Sequence, residues 1–107
     1  MSPYQSVHQL AKEGNLQHLM DEVLRNPSCI DLRDSEGKSP LHWAIIAGDQ
    51  AIASWLLDQG AKSYAMDDFG NTPLHLAWHM DSVRLLLKQG VVPSATNIQG
   101  RLANDFQ

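Results

Sequence analysis

Five histidines, a single cysteine and an adjacent pair of aspartates are the side chains here that could bind metal, attack an electrophile or move a proton. His8 and His18 stand ten residues apart, and His42, His75 and His79 follow without any cysteine-histidine cluster of the kind that builds zinc sites. No metal is therefore expected. Cys29 is the only cysteine, so no internal disulfide can form, and its place before Ile30 reads as that of a small buried hydrophobe. A nucleophilic serine would need a strained G-x-S-x-G turn, and a nucleotide would need a glycine-rich phosphate loop. Neither motif occurs, so neither catalysis nor a cofactor is expected. Asp67-Asp68, with Asp58 not far away, reads as ordinary solvated charge.

The arrangement of these residues is more telling than their chemistry. The phrase D-S-E-G-K-S-P-L-H at 34–42 returns as D-D-F-G-N-T-P-L-H at 67–75, a spacing of 33 residues (67 minus 34). The later phrase Leu56-Leu57-Asp58-Gln59-Gly60-Ala61 is answered by Leu86-Leu87-Lys88-Gln89-Gly90-Val91, and Ala44 by Ala77. A period of this length marks a stacked-repeat architecture. Ser39 and Thr72 are placed to cap helix starts, with Pro40 and Pro73 in the first helical position, where a missing N–H costs nothing. Gly48 separates two helices, and Gly60 and Gly90 close the second of each pair. Ile52, Trp55, Leu56 and Gln59 form the expected inner stripe of one second helix. Val83, Leu86 and Leu87 form that of the next, and Leu16, Leu19, Val23 and Leu24 that of the first unit. Ser2-Pro3-Tyr4-Gln5 has capping-box spacing and predicts a helix over about 3–13. Pro27 blocks helix continuation after Arg25.

These phrases resemble the ankyrin repeat, whose signature reads D-x-x-G-x-T-P-L-H-x-A followed by a glycine turn, paired leucines and G-A. The resemblance covers nearly the whole chain. It implies an all-α repeat, an α-solenoid: an ankyrin-like stack of antiparallel helix pairs with projecting β-turn/hairpin loops around Gly37, Gly70 and Gly100. The single domain divides into a capping repeat (1–33), a second repeat (34–66), a third shortened by three residues between Ala77 and Asp81 (67–96), and a partial fourth (97–107). In this family the histidine of the motif ties the helix start to neighbouring loop backbone, which assigns His42 and His75 a structural role. Trp43 and Trp78 fall in slots that normally face other helices, so both are expected in the core.

Composition narrows the partners. A formal net charge of -4 and eight scattered Lys and Arg argue against nucleic acid and anionic lipid. No stretch reaches the roughly 18 apolar residues that span a bilayer. Neither a membrane nor nucleic acid is an expected partner, and the lone cysteine with no leader-like segment points to the cytoplasm, export as an effector being compatible with the same sequence.

The resemblance implies a protein-binding module, in which loop tips and first helices present one continuous surface to a protein partner of unknown identity. The slots that face outward are Arg33, Glu36 and Lys38 on the first loop and Met66, Asp68, Phe69 and Asn71 on the second. Ile98, Gln99 and Arg101 follow on the third, with Ile46 and His79 at first-helix positions. Phe69 reads either as an interface anchor or as local packing on Met66 or Ile98. At the carboxyl end, Arg101 to Phe106 form a minimal capping turn, or the natural chain continues, or a partner or a second copy covers the end, the latter by weak self-association. A structural or self-associating subunit using that end is the alternative function.

Overall fold

The computed structural model describes residues 6–91. Each helix starts where a side chain takes over the amide groups that a first turn leaves unbonded. Ser6 accepts from Gln9 N at 3.1 Å and opens α1 (Val7–Glu13); Asn15 accepts from His18 N and opens α2 (Leu16–Arg25). Ser6 is extended at φ -67° and ψ 155°, so α1 begins four residues later than the Ser2 box suggests; that box itself lies outside the described residues. Pro27 then starts a short 3-10 helix, Pro27–Asp31. Ser39 caps α3 (Pro40–Ala47), Asp49 caps α4 (Gln50–Asp58), Thr72 caps α5 (Pro73–Leu76) and His79 caps α6 (Met80–Lys88).

The helices pair within units and stack between them. α1 lies against α2 and α3, α3 against α4 and α5, and α6 against both α4 and α5. Leu10, Leu19, Leu41, Ala44, Ile45, Ile52, Leu56, Leu74 and Leu86 are all essentially inaccessible and join into one core running through every unit. The predicted stripes hold in part. Ala53 and Leu57 complete the inner face of α4, whereas Trp55 is half-buried and Gln59 exposed. Leu24 and Leu87 turn outward, at 63% and 40% exposure, and on α6 the small Ser82 takes the inner place beside Val83. Leu57 and Leu87 hold the same place in their doublets, yet only Leu57 is covered.

One expectation about the loops is overturned. The all-α stack is present, but the projecting β-turn/hairpin loops are not: no strand occurs among the described residues. Each tip closes on its own aspartate instead. Asp34 Oδ1 accepts from Glu36 N and Lys38 N, both at 2.9 Å, and Asp67 Oδ1 accepts from Phe69 N at 2.9 Å and Asn71 N at 2.8 Å. Those amides are the donors that a strand ladder would need. A single backbone bond, Asp68 N to Glu36 O at 2.9 Å, links one tip to the next. Gly37 makes that approach possible, since a β-carbon there would lie 2.8 Å from Asp68 N, and its φ of +77° is one that other residues rarely adopt.

Candidate functional site

Along the tips the same aspartate position is satisfied in two ways. Asp34 Oδ2 takes a hydrogen bond from Trp43 Nε1 at 2.7 Å, while Asp67 Oδ2 takes the Lys38 ammonium at 3.0 Å. Lys38 also meets Glu36 Oε1 at 3.1 Å. Its side chain is 9% exposed and that of Asp67 not at all, so the ion pair is internal and joins one unit to the next. Burial would raise the Asp67 carboxyl pKa, but the Asn71 and Phe69 amides and Lys38 outweigh it and hold it below the usual carboxylate range. Burial likewise pulls Lys38 down, and its hydrogen bonds with Asp67 and Glu36 more than reverse this, leaving it raised. Neither residue fits the surface charge that the sequence suggests for it, because each is consumed in fixing the tips.

Cations and aromatic rings alternate above this pair. Lys12 Nζ lies 4.0 Å from the Trp43 ring centre, and Lys38 Nζ lies 5.7 Å from Trp43 and 5.4 Å from Phe69. Phe69 ends the described row with 51% of its surface open, and Met66, three residues earlier, is 52% open. Arg33 is exposed and donates from Nε to Gly37 O at 3.2 Å; Glu36 and Asp68 are exposed at adjacent tips. Asn71 is half-buried, its N–H on Asp67 and its carbonyl on His42. The structure therefore gathers Arg33, Glu36, Lys38, Met66, Asp68, Phe69 and Asn71 at the tips. Ile98, Gln99, Arg101 and the Arg101–Phe106 end lie outside the described residues.

The other end of the first helices departs from the sequence reading. α3 has eight residues and α5 only four, because the three missing residues remove its second turn. The chain leaves the helical path at Ala77 (ψ 116°), and Trp78 emerges 59% exposed instead of entering the core. Its indole donates to Ile46 O at 2.7 Å, and its ring covers Gly48, where a β-carbon would lie 2.8 Å from Cζ2. His79 packs edge-on to Trp78 at 5.5 Å, and Met80 is 56% exposed. Half-buried Ile46 and exposed His79 thus share a second apolar patch built around Trp78. The deletion was legible; that it would expel this ring was not. Trp43 is also not a core residue in full, being half-buried between Lys12 and the Asp34 carboxylate.

The histidines bind backbone. Ser39 N donates to His42 Nδ1 at 3.1 Å, so the proton sits on Nε2, which donates to Asn71 O at 2.9 Å in the next tip. Burial lowers the His42 pKa, keeping the ring neutral. His75 repeats the first half with Thr72, and its buried Nε2 has no partner among the described residues. His8 Nε2 lies 2.6 Å from Leu32 O, a ring-to-carbonyl tie of the same kind within the first unit, though that unit lacks the T-P-L-H phrase. The signal was its offset of 34 from His42, one more than the period because the first unit carries an extra residue. His75 and His79 have the four-residue interval of a two-histidine metal face, but the break at Ala77 puts them on different elements. Among the described residues no group of three or more His, Cys, Asp or Glu could hold a metal ion. Cys29 is half-buried, with its thiol pKa raised by burial and by Glu22, the opposite of activation. No described helix is long and apolar enough to cross a membrane.

A groove of about 360 Å³ between α4 and α6 is lined by Gln50, Ser54, Asp81, Arg84, Leu85 and Lys88. Gln50 Oε1 there is enclosed, has no hydrogen-bond partner among the described residues and is out of a ligand's reach.

Comparison with known proteins agrees with this architecture. Residues 7–97 match the family described as ankyrin repeats (3 copies). Among curated proteins, the chain is similar to a transient receptor potential cation channel subfamily A member 1 homolog of Caenorhabditis elegans (34% identity, 66% of this chain, 6% of the relative). It is similar to the target of rapamycin complex 2 subunit AVO2 of Saccharomyces cerevisiae (30%, 89% of this chain, 23% of the relative). Protein phosphatase 1 regulatory subunit 27 of Mus musculus shares 28% identity over 89% of this chain and 64% of its own length. The chain thus spans from a small fraction to under two thirds of these relatives.

Proposed function

The chain belongs to the ankyrin-repeat family, and from that premise we propose that it is a non-catalytic module that binds a protein partner through its tips and the first-helix face beside them. Repeat stacks of this family generally serve protein–protein interaction, and two of the relatives are named as subunits of larger protein assemblies. The observation that carries the tip assignment is pre-organisation. Asp34 and Asp67 lock the tip backbones, the buried Lys38–Asp67 pair joins them, and Phe69 and Met66 stand half open on that fixed base. Rings held in place before binding lose little conformational freedom on contact, which is what makes aromatic side chains effective anchors.

The test is affinity measurement with the partner captured from the native host. Phe69→Ala is expected to weaken binding by about tenfold or more, with the unfolding midpoint unchanged. A partner that binds Phe69→Ala and Met66→Ala as it binds the parent chain would remove the tips from the interface. Trp78→Ala then asks whether the second patch carries the contact instead.

A further inference from the structure

Resting on the tip-binding reading, we infer that the tip surface recognises a basic protein segment, with one arginine or lysine of the partner seated on the exposed ring of Phe69 next to Asp68. Three observations on the tips converge. First, the row Lys12, Trp43, Lys38, Phe69 alternates cation and ring, and Phe69 ends it among the described residues with half its surface uncovered. The next member of such a row is a cation, because the ring face carries negative quadrupole potential. Second, two exposed carboxylates stand at the same tips. Glu36 Oε1 and the Phe69 ring share the same Lys38 ammonium, and Asp68 is bonded by its backbone to Glu36.

Third, the local charge is acidic: Asp34, Glu36, Asp67 and Asp68 stand with Lys12, Arg33 and Lys38, four carboxylates against three cations, on a chain whose net charge is -4. Lys38 is already neutralised by its two carboxylate partners, so it offers little repulsion to a second cation beyond the ring. Opposite charge speeds encounter with a basic segment, and the ring sets where one of its side chains stops. An acidic segment would meet like charge at the exposed Asp68.

The probe is an acetylated, amidated octapeptide of alternating arginine and glycine, titrated against the isotopically labelled full chain at physiological salt. Its counterpart carries citrulline, which keeps the shape of arginine without its charge. The expected result is saturable shift changes confined to residues 36–38 and 66–71, absent with citrulline, and weakened about tenfold or more in Phe69→Ala. Glu36→Gln with Asp68→Asn should weaken binding and flatten its salt dependence while leaving the fold intact. Equal binding of the citrulline peptide, shifts centred on Trp78 or on the α4–α6 groove, or indifference to Phe69→Ala would overturn the inference. A captured partner that needs Phe69 but contacts it through an acidic or purely apolar segment would sink this inference while leaving the tip-binding reading standing.

Discussion

His42 shows how one ring decides the local pH response. Its neutral form is bonded at both nitrogens, and burial lowers its pKa from the ordinary 6.5. A histidine whose folded pKa is lowered binds protons more readily when unfolded. Its contribution to stability is therefore complete above the unfolded value of 6.5 and is lost as pH falls through the window down to the folded value. Urea midpoints measured from about pH 8 to about pH 5 should decline, and His42→Gln, less stable at the upper end, should decline less. An equal decline in both chains would assign the acid sensitivity elsewhere. Trp78 is a second residue whose role rests on one bond, its indole to the Ile46 carbonyl at 2.7 Å. Trp78→Phe should cost about 1 kcal/mol in denaturant unfolding, the worth of a single hydrogen bond.

At the scale of elements, the tips are folded by their aspartates. Asp67 is bonded by two amides and by Lys38, with its side chain fully enclosed. Removing one partner of a buried ion pair leaves the other charge uncompensated, so Asp67→Ala should cost about 3–5 kcal/mol, against near zero for the exposed Asp68→Ala. Chemical denaturation of the two variants checks the contrast. The sign with pH is opposite in range to that of His42 but the same in direction. Because the folded Asp67 pKa is lowered from 3.8, its contribution is present above 3.8 and disappears as pH falls through the folded value. The α3 and α5 starts are capped alike, by Ser39 and Thr72 with their histidines in reciprocal capping boxes. Ser39→Ala should therefore cost about 1 kcal/mol.

For the whole molecule, stability lies in surfaces that units share. Leu41 and Ile45 on α3 are shut off from solvent because α1, α4 and α5 all lie against that helix. Leu41→Ala is expected to cost about 2–5 kcal/mol. It should lower the midpoint throughout the array, since a short stack unfolds as a unit when its interfaces hold it together. Trp43 and Trp78 report on different units; versions keeping one tryptophan each should give coincident fluorescence midpoints, before and after Leu41→Ala. Separate transitions would show that the units melt independently.

The repeat period and the helix starts at Ser39 and Thr72 were legible in the sequence, because each is set by short-range chemistry: a cap, a proline, a glycine turn, a motif histidine. Tertiary structure alone decided the rest. Lys38 and Asp67 look like surface charges until two tips meet, Leu24 and Leu87 look like core until a neighbouring helix sets the contact line, and His8 lacks its phrase yet meets the Leu32 carbonyl. Trp78 follows the same logic. The sequence records three missing residues, but only packing against α3 determines that losing a helical turn sends the ring outward across Gly48. Burial and partnership depend on what lies across a space, and a linear order of residues specifies neighbours along the chain more directly than neighbours through space.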